Sequence, residues 1–275
     1  MSSCIFVLIK DEHLYLDEFI TYHQHIGIDH IFVVEDCDSK THKDITDKYD
    51  DVTLLSVLDL FLDKDKILYQ KAHQYKMQIR YLKAGLNFIK ENYEYTWCFV
   101  IDVDEFITTY NNENVNDVLE RYSSYDSVVL QWQNYGANGI IHTPDYSNRS
   151  ITDIYTEKIG FQNSDNNSWY QKVKTVYNMT NFTIRNFMSD HVPNRYSKWC
   201  KTDYSQNKEA LIYDNIYIRH YITKSWEEYV RKIKIRGMFF SQHRSLDSFF
   251  EMNPNMLYKK DELIGIVQEI ENGAS

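Results

Sequence analysis

Apolar and polar positions alternate along the first 110 residues in blocks whose periods change from strand to helix and back. Cys4–Ile9 is a continuous apolar run bounded by Lys10-Asp11-Glu12, and it predicts a strand buried on both faces. Leu16, Phe19, Ile20, His23 and Ile26 then recur on one helical face, and Gly27 supplies a stop. His30–Val34 predicts a second buried strand ending in Glu35-Asp36, and Val52–Val57 a third. After Asp63 the stripe Leu68, Ala72, Tyr75, Ile79, Leu82, Leu86, Ile89 keeps a 4,3 spacing and predicts a long amphipathic helix. Thr96–Ile101 predicts a fourth buried strand that runs straight into Asp102-Val103-Asp104-Glu105. Apolar strands separated by helices predict a parallel sheet covered on both faces.

The second half is less regular. Strands are predicted at Ser127–Trp132, Lys172–Tyr177, Thr183–Phe187 and Leu211–Tyr221, and helices at Ser225–Phe240 and Asp261–Glu271. Asn134–Ser168 is rich in Asn, Ser, Asp and Gly and predicts a loop-dominated stretch. No internal repeat and no separating linker is visible, so one α/β domain over residues 1–275 is expected.

Composition narrows the function classes. Among 275 residues, 43% are hydrophobic and 15% aromatic, which excludes a disordered chain. The net charge of −10 argues against a nucleic-acid coat. Cys4, Cys37, Cys98 and Cys200 form no CxxC pair, so reduced thiols in a cytoplasmic protein are expected. The run at the N-terminus is too short to span a membrane and lacks a basic lead, so any membrane contact would be peripheral, at the inner face.

Ligands of parallel α/β sheets bind outside the carboxyl ends of the strands. Here those ends read Lys10-Asp11-Glu12, Glu35-Asp36 and Asp102-Val103-Asp104-Glu105. Neither GxGxxG nor a P-loop follows the first strand, against a dinucleotide enzyme or P-loop NTPase. Carboxylates clustered at one sheet edge repel unless a cation joins them, and a hard divalent ion suits oxygen ligands. A DxD triplet is also a common solvated turn; its place directly after a buried strand is what points to Mn²⁺ or Mg²⁺. Residues 219–244 carry seven Lys/Arg against two acids in an otherwise acidic chain, a source of cations for phosphate or for a membrane surface.

Several segments, in order, resemble glycosyltransferase family 92 and its family-2-like relatives. Lys10-Asp11-Glu12 with Leu16, Glu18-Phe19, Tyr22-His23 and Gly27–His30 is similar to that group's KNE…YLxEWxxYHxxxGVDH opening. Asp36 and Ser39 resemble its YDNxSxD turn, Asp102–Phe106 its DxDEF signature, and Trp132–Gly139 its WxxFGxxG element. Lys174-Thr175-Val176 with His191 resembles KTIV…H. His220–Ser225 with Glu228-Tyr229, Lys232 and Arg236-Gly237 resembles HYxxKSxEEFxxKxxRG. Asp11 stands where the group has Asn, Cys37 replaces the Asn of the DN turn, and Tyr135 replaces Phe.

The resemblance implies a GT-A fold, Rossmann-like, with a mostly parallel central sheet and helices on both faces. Residues 1–110 would form the nucleotide-sugar half, 111–245 the acceptor and metal-completing half, and 246–275 a helical tail. It implies a metal-dependent inverting enzyme moving a hexose, galactose being the first candidate, from a UDP-sugar to a glycan or glycolipid hydroxyl. Asp102 and Asp104 would hold Mn²⁺ or Mg²⁺ with His220, or its rival His191. Lys10, Asp11, Glu12, Asp36, Asp102, Lys224 and Arg236 would bind the donor, and Trp132 and Tyr135 the acceptor. Asp190 is the first choice of base, with Glu157 and Asp165 as rivals. A GT-A-like nucleotidyltransferase, a nucleotide-sugar hydrolase and a non-catalytic glycan-binding module are the alternatives; the first would show a Gly-rich loop after the first strand, and Cys4–Glu12 has none.

Overall fold

The computed structural model describes residues 1–35, 40–60, 74–159, 173–183, 187–193, 199–201, 215–234, 246–254, 256 and 260–272. By its contacts the chain divides into two units, 1–132 with 167–219 and 133–166 with 220–275.

The first unit carries the opening β/α alternation: β1 (Ser3–Ile9), α1 (Leu16–His25), β2 (His30–Glu35), α2 (Lys43–Thr46), β3 (Val52–Ser56), α3 (Gln74–Asn92) and β4 (Trp97–Val100). A turn leads into β5 (Glu105–Thr109), followed by α4 (Val115–Glu120) and β6 (Ser127–Asn134). Next come β7 (Val173–Asn178), the short strands β8 (Phe187–Ser189), β9 (Val192–Pro193) and β10 (Trp199–Lys201), and β11 (Ile216–His220). The sheet runs β3-β2-β1-β4-β7-β6-β11-β5, with β10 beside β6.

Its first four strands are parallel, as the apolar runs predict: Cys4 pairs with His30 and with Cys98, and Ile31 with Val52. β7 is antiparallel to both β4 and β6, and β10 pairs parallel with β6 beyond it. One face of the parallel half is sealed by Tyr81, Leu82, Leu86 and Ile89 of α3 against Phe6, Phe32 and Val100. Leu82, Leu86 and Ile89 belong to the predicted stripe and Tyr81 does not; Leu68 and Ala72, the first members of the stripe, lie outside the described residues. Gly85 sits where α3 crosses β1, and a Cβ there would overlap the Phe6 ring. Cys4 and Cys98, neighbours across β1 and β4, are buried free thiols.

In the second unit the polar stretch after β6 contains one helical turn, α5 (Ile151–Ile154), capped by Ser150, whose Oγ accepts the Asp153 N–H at 3.0 Å. The helices α6 (Trp226–Lys234), α7 (Leu246–Met252) and α8 (Lys260–Glu271) pack on one another through Trp226, Phe249 and Leu263. The Trp226 indole N–H donates to the Leu263 carbonyl at 2.9 Å. α6 begins with a capping box: the Ser225 N–H reaches Glu228 Oε2 at 3.1 Å, and the Glu228 N–H reaches Ser225 Oγ at 3.3 Å. The hydroxyls of Tyr146 and Tyr155 donate to the same carboxylate at 2.8 and 2.9 Å. Among the described residues, no helix is long and apolar enough to cross a membrane.

Candidate active site

β4 ends at Val100, and the chain reverses through Asp102–Glu105. The Glu105 N–H donates to the Asp102 carbonyl and the Asp102 N–H to Glu105 Oε2, both at 3.0 Å. The DxD carboxylates therefore sit on a turn closed from both ends. Asp104 is buried, whereas the Asp102 side chain is 45% exposed.

β7 lies beside β4, and its Lys174 faces this turn. The Lys174 side chain is 1% exposed, with Nζ 2.9 Å from Asp102 Oδ2, 2.7 Å from Asp190 Oδ2 and 3.5 Å from Glu105 Oε2. Burial alone would strip its proton, but Asp102, Asp190 and Glu105 outweigh that and hold the ammonium well above the ordinary lysine value. Burial pushes the Glu105 carboxyl well up, and Lys174 only partly offsets it. Burial acts the same way on Asp190, yet Lys174, helped by His191, prevails and keeps this carboxylate below its usual range.

Asp190 and His191 form the two-residue connection between β8 and β9, the tip of a hairpin. Its tip is pinned to β7: the Thr175 N–H donates to the Asp190 carbonyl at 2.7 Å, and His191 Nδ1 donates to the Val173 carbonyl at 2.9 Å. A carbonyl can only accept, so in the neutral ring the proton is on Nδ1 and Nε2 carries the lone pair. Burial first, and then the Lys174 charge, lower the His191 pKa and favour that neutral ring, against the pull of Asp190. Trp132 is buried beneath the cluster, edge-on to His191 at 5.4 Å between ring centres, with Lys174 Nζ 5.9 Å from its own ring centre.

At the end of β1, Lys10 and Asp11 are exposed and Glu12 is buried. Asp11 has a φ of +54°, a conformation that Asn and Asp tolerate better than other side chains, so Asp in place of the family's Asn keeps this turn. The turn is tied down by a pair the sequence does not advertise. The Glu12 N–H donates to His42 Nε2 at 3.1 Å, and His42 Nδ1 donates to Glu35 Oε1 at 2.5 Å. Thr41 Oγ1 donates to the same Glu35 oxygen at 2.9 Å, and His13 stacks on His42 at 3.8 Å. Glu35 Oε1 is therefore bonded to His42 and Thr41, while Glu35 Oε2 is buried with no hydrogen-bond partner among the described residues.

The other expected site residues are in the second unit. His220 is buried, its Nδ1 3.1 Å from the Asn134 amide oxygen. Lys224 is buried and has a φ of +53°, directly before the cap of α6. Tyr135 stacks on Tyr221 at 5.1 Å, and Glu157 is exposed, its carbonyl accepting the Gly136 N–H at 2.9 Å. Asp36, Asp165 and Arg236 lie outside the described residues. The structure thus gathers Asp102, Asp104, Asp190, His191 and Trp132 in one unit, around a lysine that enters the sequence argument only through the KTIV-like segment.

Among the described residues, no group of three or more His, Cys, Asp or Glu is arranged to hold a metal ion. Asp102 is nonetheless a hard oxygen donor with a half-exposed side chain. Its Oδ2 is taken by Lys174, and its Oδ1 has no hydrogen bond among the described residues. Mg²⁺ and Mn²⁺ take one or two carboxylates and complete their shell with phosphate oxygens and water. The donor set fits such an ion and does not form a closed protein cage.

The family model described as glycosyltransferase family 92 matches residues 1–259, and the chain belongs to that family. It is thus a glycosyltransferase, an enzyme that acts on a nucleotide-sugar donor and an acceptor. Among solved structures, the chain is similar to residues 1–349 of TarS from S. aureus, at 13% identity and a TM-score of 0.40, covering 94% of this chain and 71% of that one. It is also similar to a Desulfovibrio desulfuricans G20 protein assigned as a nucleotide-diphospho-sugar transferase, at 9% identity and a TM-score of 0.36, covering 94% and 98%. Likenesses at these TM-scores carry no argument, and the identification rests on the family match. No curated protein matches the sequence.

Proposed function

We propose that this glycosyltransferase moves a hexose, galactose first, from a UDP-sugar to a hydroxyl of a glycan or glycolipid, with inversion and with Mn²⁺ or Mg²⁺ as cofactor. One observation carries the reading: Lys174 holds one oxygen of Asp102 and one of Asp190, and neither aspartate has another side-chain bond on its second oxygen among the described residues. An inverting transfer needs two such groups, one for the leaving diphosphate and one for the attacking hydroxyl.

In this reading Asp190, ionised through its contact with Lys174, takes the acceptor proton on Oδ1. The acceptor oxygen then bonds to the anomeric carbon as the bond from that carbon to the diphosphate oxygen breaks. Bound at Asp102 and Asp104, the divalent ion would neutralise the departing diphosphate. His220 or His191 would add to its ligands, and Lys224 and Arg236 would serve the diphosphate. Lys10, Asp11, Glu12 and Asp36 would hold the nucleoside, and the Glu35–His42 pair supports this by fixing the turn at the end of β1. Trp132 and Tyr135 would bear on the acceptor. The reading places the enzyme in the cytoplasm, any membrane contact being peripheral.

The test is turnover of a UDP-hexose panel with Mn²⁺, with Mg²⁺ and with EDTA, the product anomer being read by NMR. Asp104→Ala and EDTA should each abolish transfer, and Asp190→Asn should lower kcat by about 100-fold or more with KM for the donor little changed. Transfer that survives both EDTA and Asp104→Ala would sink the metal assignment; full kcat in Asp190→Asn would pass the role of base to Glu157 or Asp165.

A further inference from the structure

The most unusual group in the first unit is the buried ammonium. Lysines are rarely buried, and a desolvated ammonium persists only where carboxylates hold it. Lys174 has three N–H donors and three carboxylates around it, at 2.7, 2.9 and 3.5 Å. Its backbone is fixed on β7, paired with Leu130 of β6, and its side chain is 1% exposed. One of its partners is Asp102, the carboxylate that the metal-dependent reading assigns to a divalent ion.

We propose that Lys174 is the resting counter-ion of the site: it holds Asp102 against bare divalent ions, so that an ion is taken up only together with a nucleotide diphosphate. The inference rests on the metal-dependent reading above. Two cations would share one carboxylate. An ion arriving alone meets Asp102 with Oδ2 already committed to an ammonium, and among the described residues it finds no set of three protein ligands. A diphosphate brings its own negative charge and oxygen ligands, which offset the repulsion from Lys174. Metal and nucleotide should therefore tighten each other by the same factor, since such coupling is reciprocal. Lys174 acts through Asp102 and is a positioning residue. If Lys174 only supported the fold, replacing it would shift the melting temperature and leave this coupling factor unchanged.

The experiment is an electron paramagnetic resonance titration of Mn²⁺ into the full chain, with and without UDP, and with melting temperatures recorded. Lys174→Met should bind Mn²⁺ alone about tenfold more tightly than the wild type, within the usual range of site-to-site coupling, and its UDP–Mn²⁺ coupling should shrink in proportion. Lys174→Arg, which keeps the charge, should behave as the wild type. If Lys174→Met does not fold, Lys174→Met combined with Asp190→Asn, which removes one charge of each sign, is read in its place and should also bind Mn²⁺ more tightly. A folded variant without Lys174 that binds Mn²⁺ alone no better than the wild type overturns the proposal. So does a wild type that binds Mn²⁺ equally well with and without UDP, whichever variants fold. A wild type that binds no Mn²⁺ even with UDP overturns instead the reading on which the proposal rests.

Discussion

His23 should make this protein lose stability in mild acid. Its ring is fully buried on α1, where Nδ1 donates to the Phe19 carbonyl at 2.7 Å and Nε2 accepts the Ile107 N–H at 3.2 Å. Burial lowers its pKa from 6.5 to about 3, with the bond to Phe19 opposing the shift in part. The unfolded chain binds a proton near 6.5 and the folded chain only near 3, so stability is complete above that upper value and falls on acidification. Linkage puts the loss at about 1.4 kcal/mol at pH 5.5 and about 2.7 kcal/mol at pH 4.5, large against a total of roughly 5–15 kcal/mol. Protonation would also turn Nε2 from acceptor to donor against the N–H of Ile107, two residues beyond Glu105, and so loosen the strand that leaves the Asp102 turn. His23→Gln keeps an acceptor for Ile107 and removes the titration. It should cost about 1 kcal/mol at pH 7.5 for the lost bond to Phe19. Below about pH 5.5 it should be the more stable protein. Urea unfolding of both proteins at pH 7.5, 6.5, 5.5 and 4.5 reads this difference, in which acid effects on Asp190 and the other shared groups cancel. A difference constant across that range would refute the reasoning.

Gly85→Ala should destabilise by about 1–3 kcal/mol in a thermal melt although alanine is the better helix former, because overlap with Phe6 outweighs propensity. At Asp11, whose φ is +54°, Asn and Gly should leave the melting temperature nearly unchanged, while Val should cost about 1–2 kcal/mol. Ser225→Ala breaks the capping box ahead of α6 and should cost about 1 kcal/mol by urea unfolding.

What was legible in the chain follows from where burial is two-sided. Cys4–Ile9, His30–Glu35 and Trp97–Val100 are central strands packed on both faces, so their apolar runs have no gaps and little else fits them. Leu82, Leu86 and Ile89 of α3 read as a helix because only one face of it is buried. The strands flanking Asp190-His191 escaped for the opposite reason: β8 and β9 have three and two residues, too few for any period to show. The reversal from parallel to antiparallel at β7 was equally hidden, since a buried strand carries no mark of its direction in a single sequence.

The active site divides along the same line. Asp102 and Asp104 were legible because a DxD directly after an apolar strand must lie at a sheet edge. Residues 219–244, where basic residues are most numerous, were read as the source of cations for the donor diphosphate, and the lysine of β7 that faces Asp102 drew no such attention. Lys174 alternates in step with Val176 and Asn178 on a buried strand that also carries Thr175, so the local pattern does not single it out. Counting charges along a stretch weighs every lysine equally, and electrostatics does not. An exposed pair such as Lys48 with Asp17 is screened by water and contributes about 1 kcal/mol or less. At Asp190 a desolvated ammonium outweighs burial and holds the carboxylate below its usual range, whereas at Glu105 burial prevails over the same ammonium. The arithmetic that matters here is the charge on groups that water cannot reach, and a sequence alone does not list those groups.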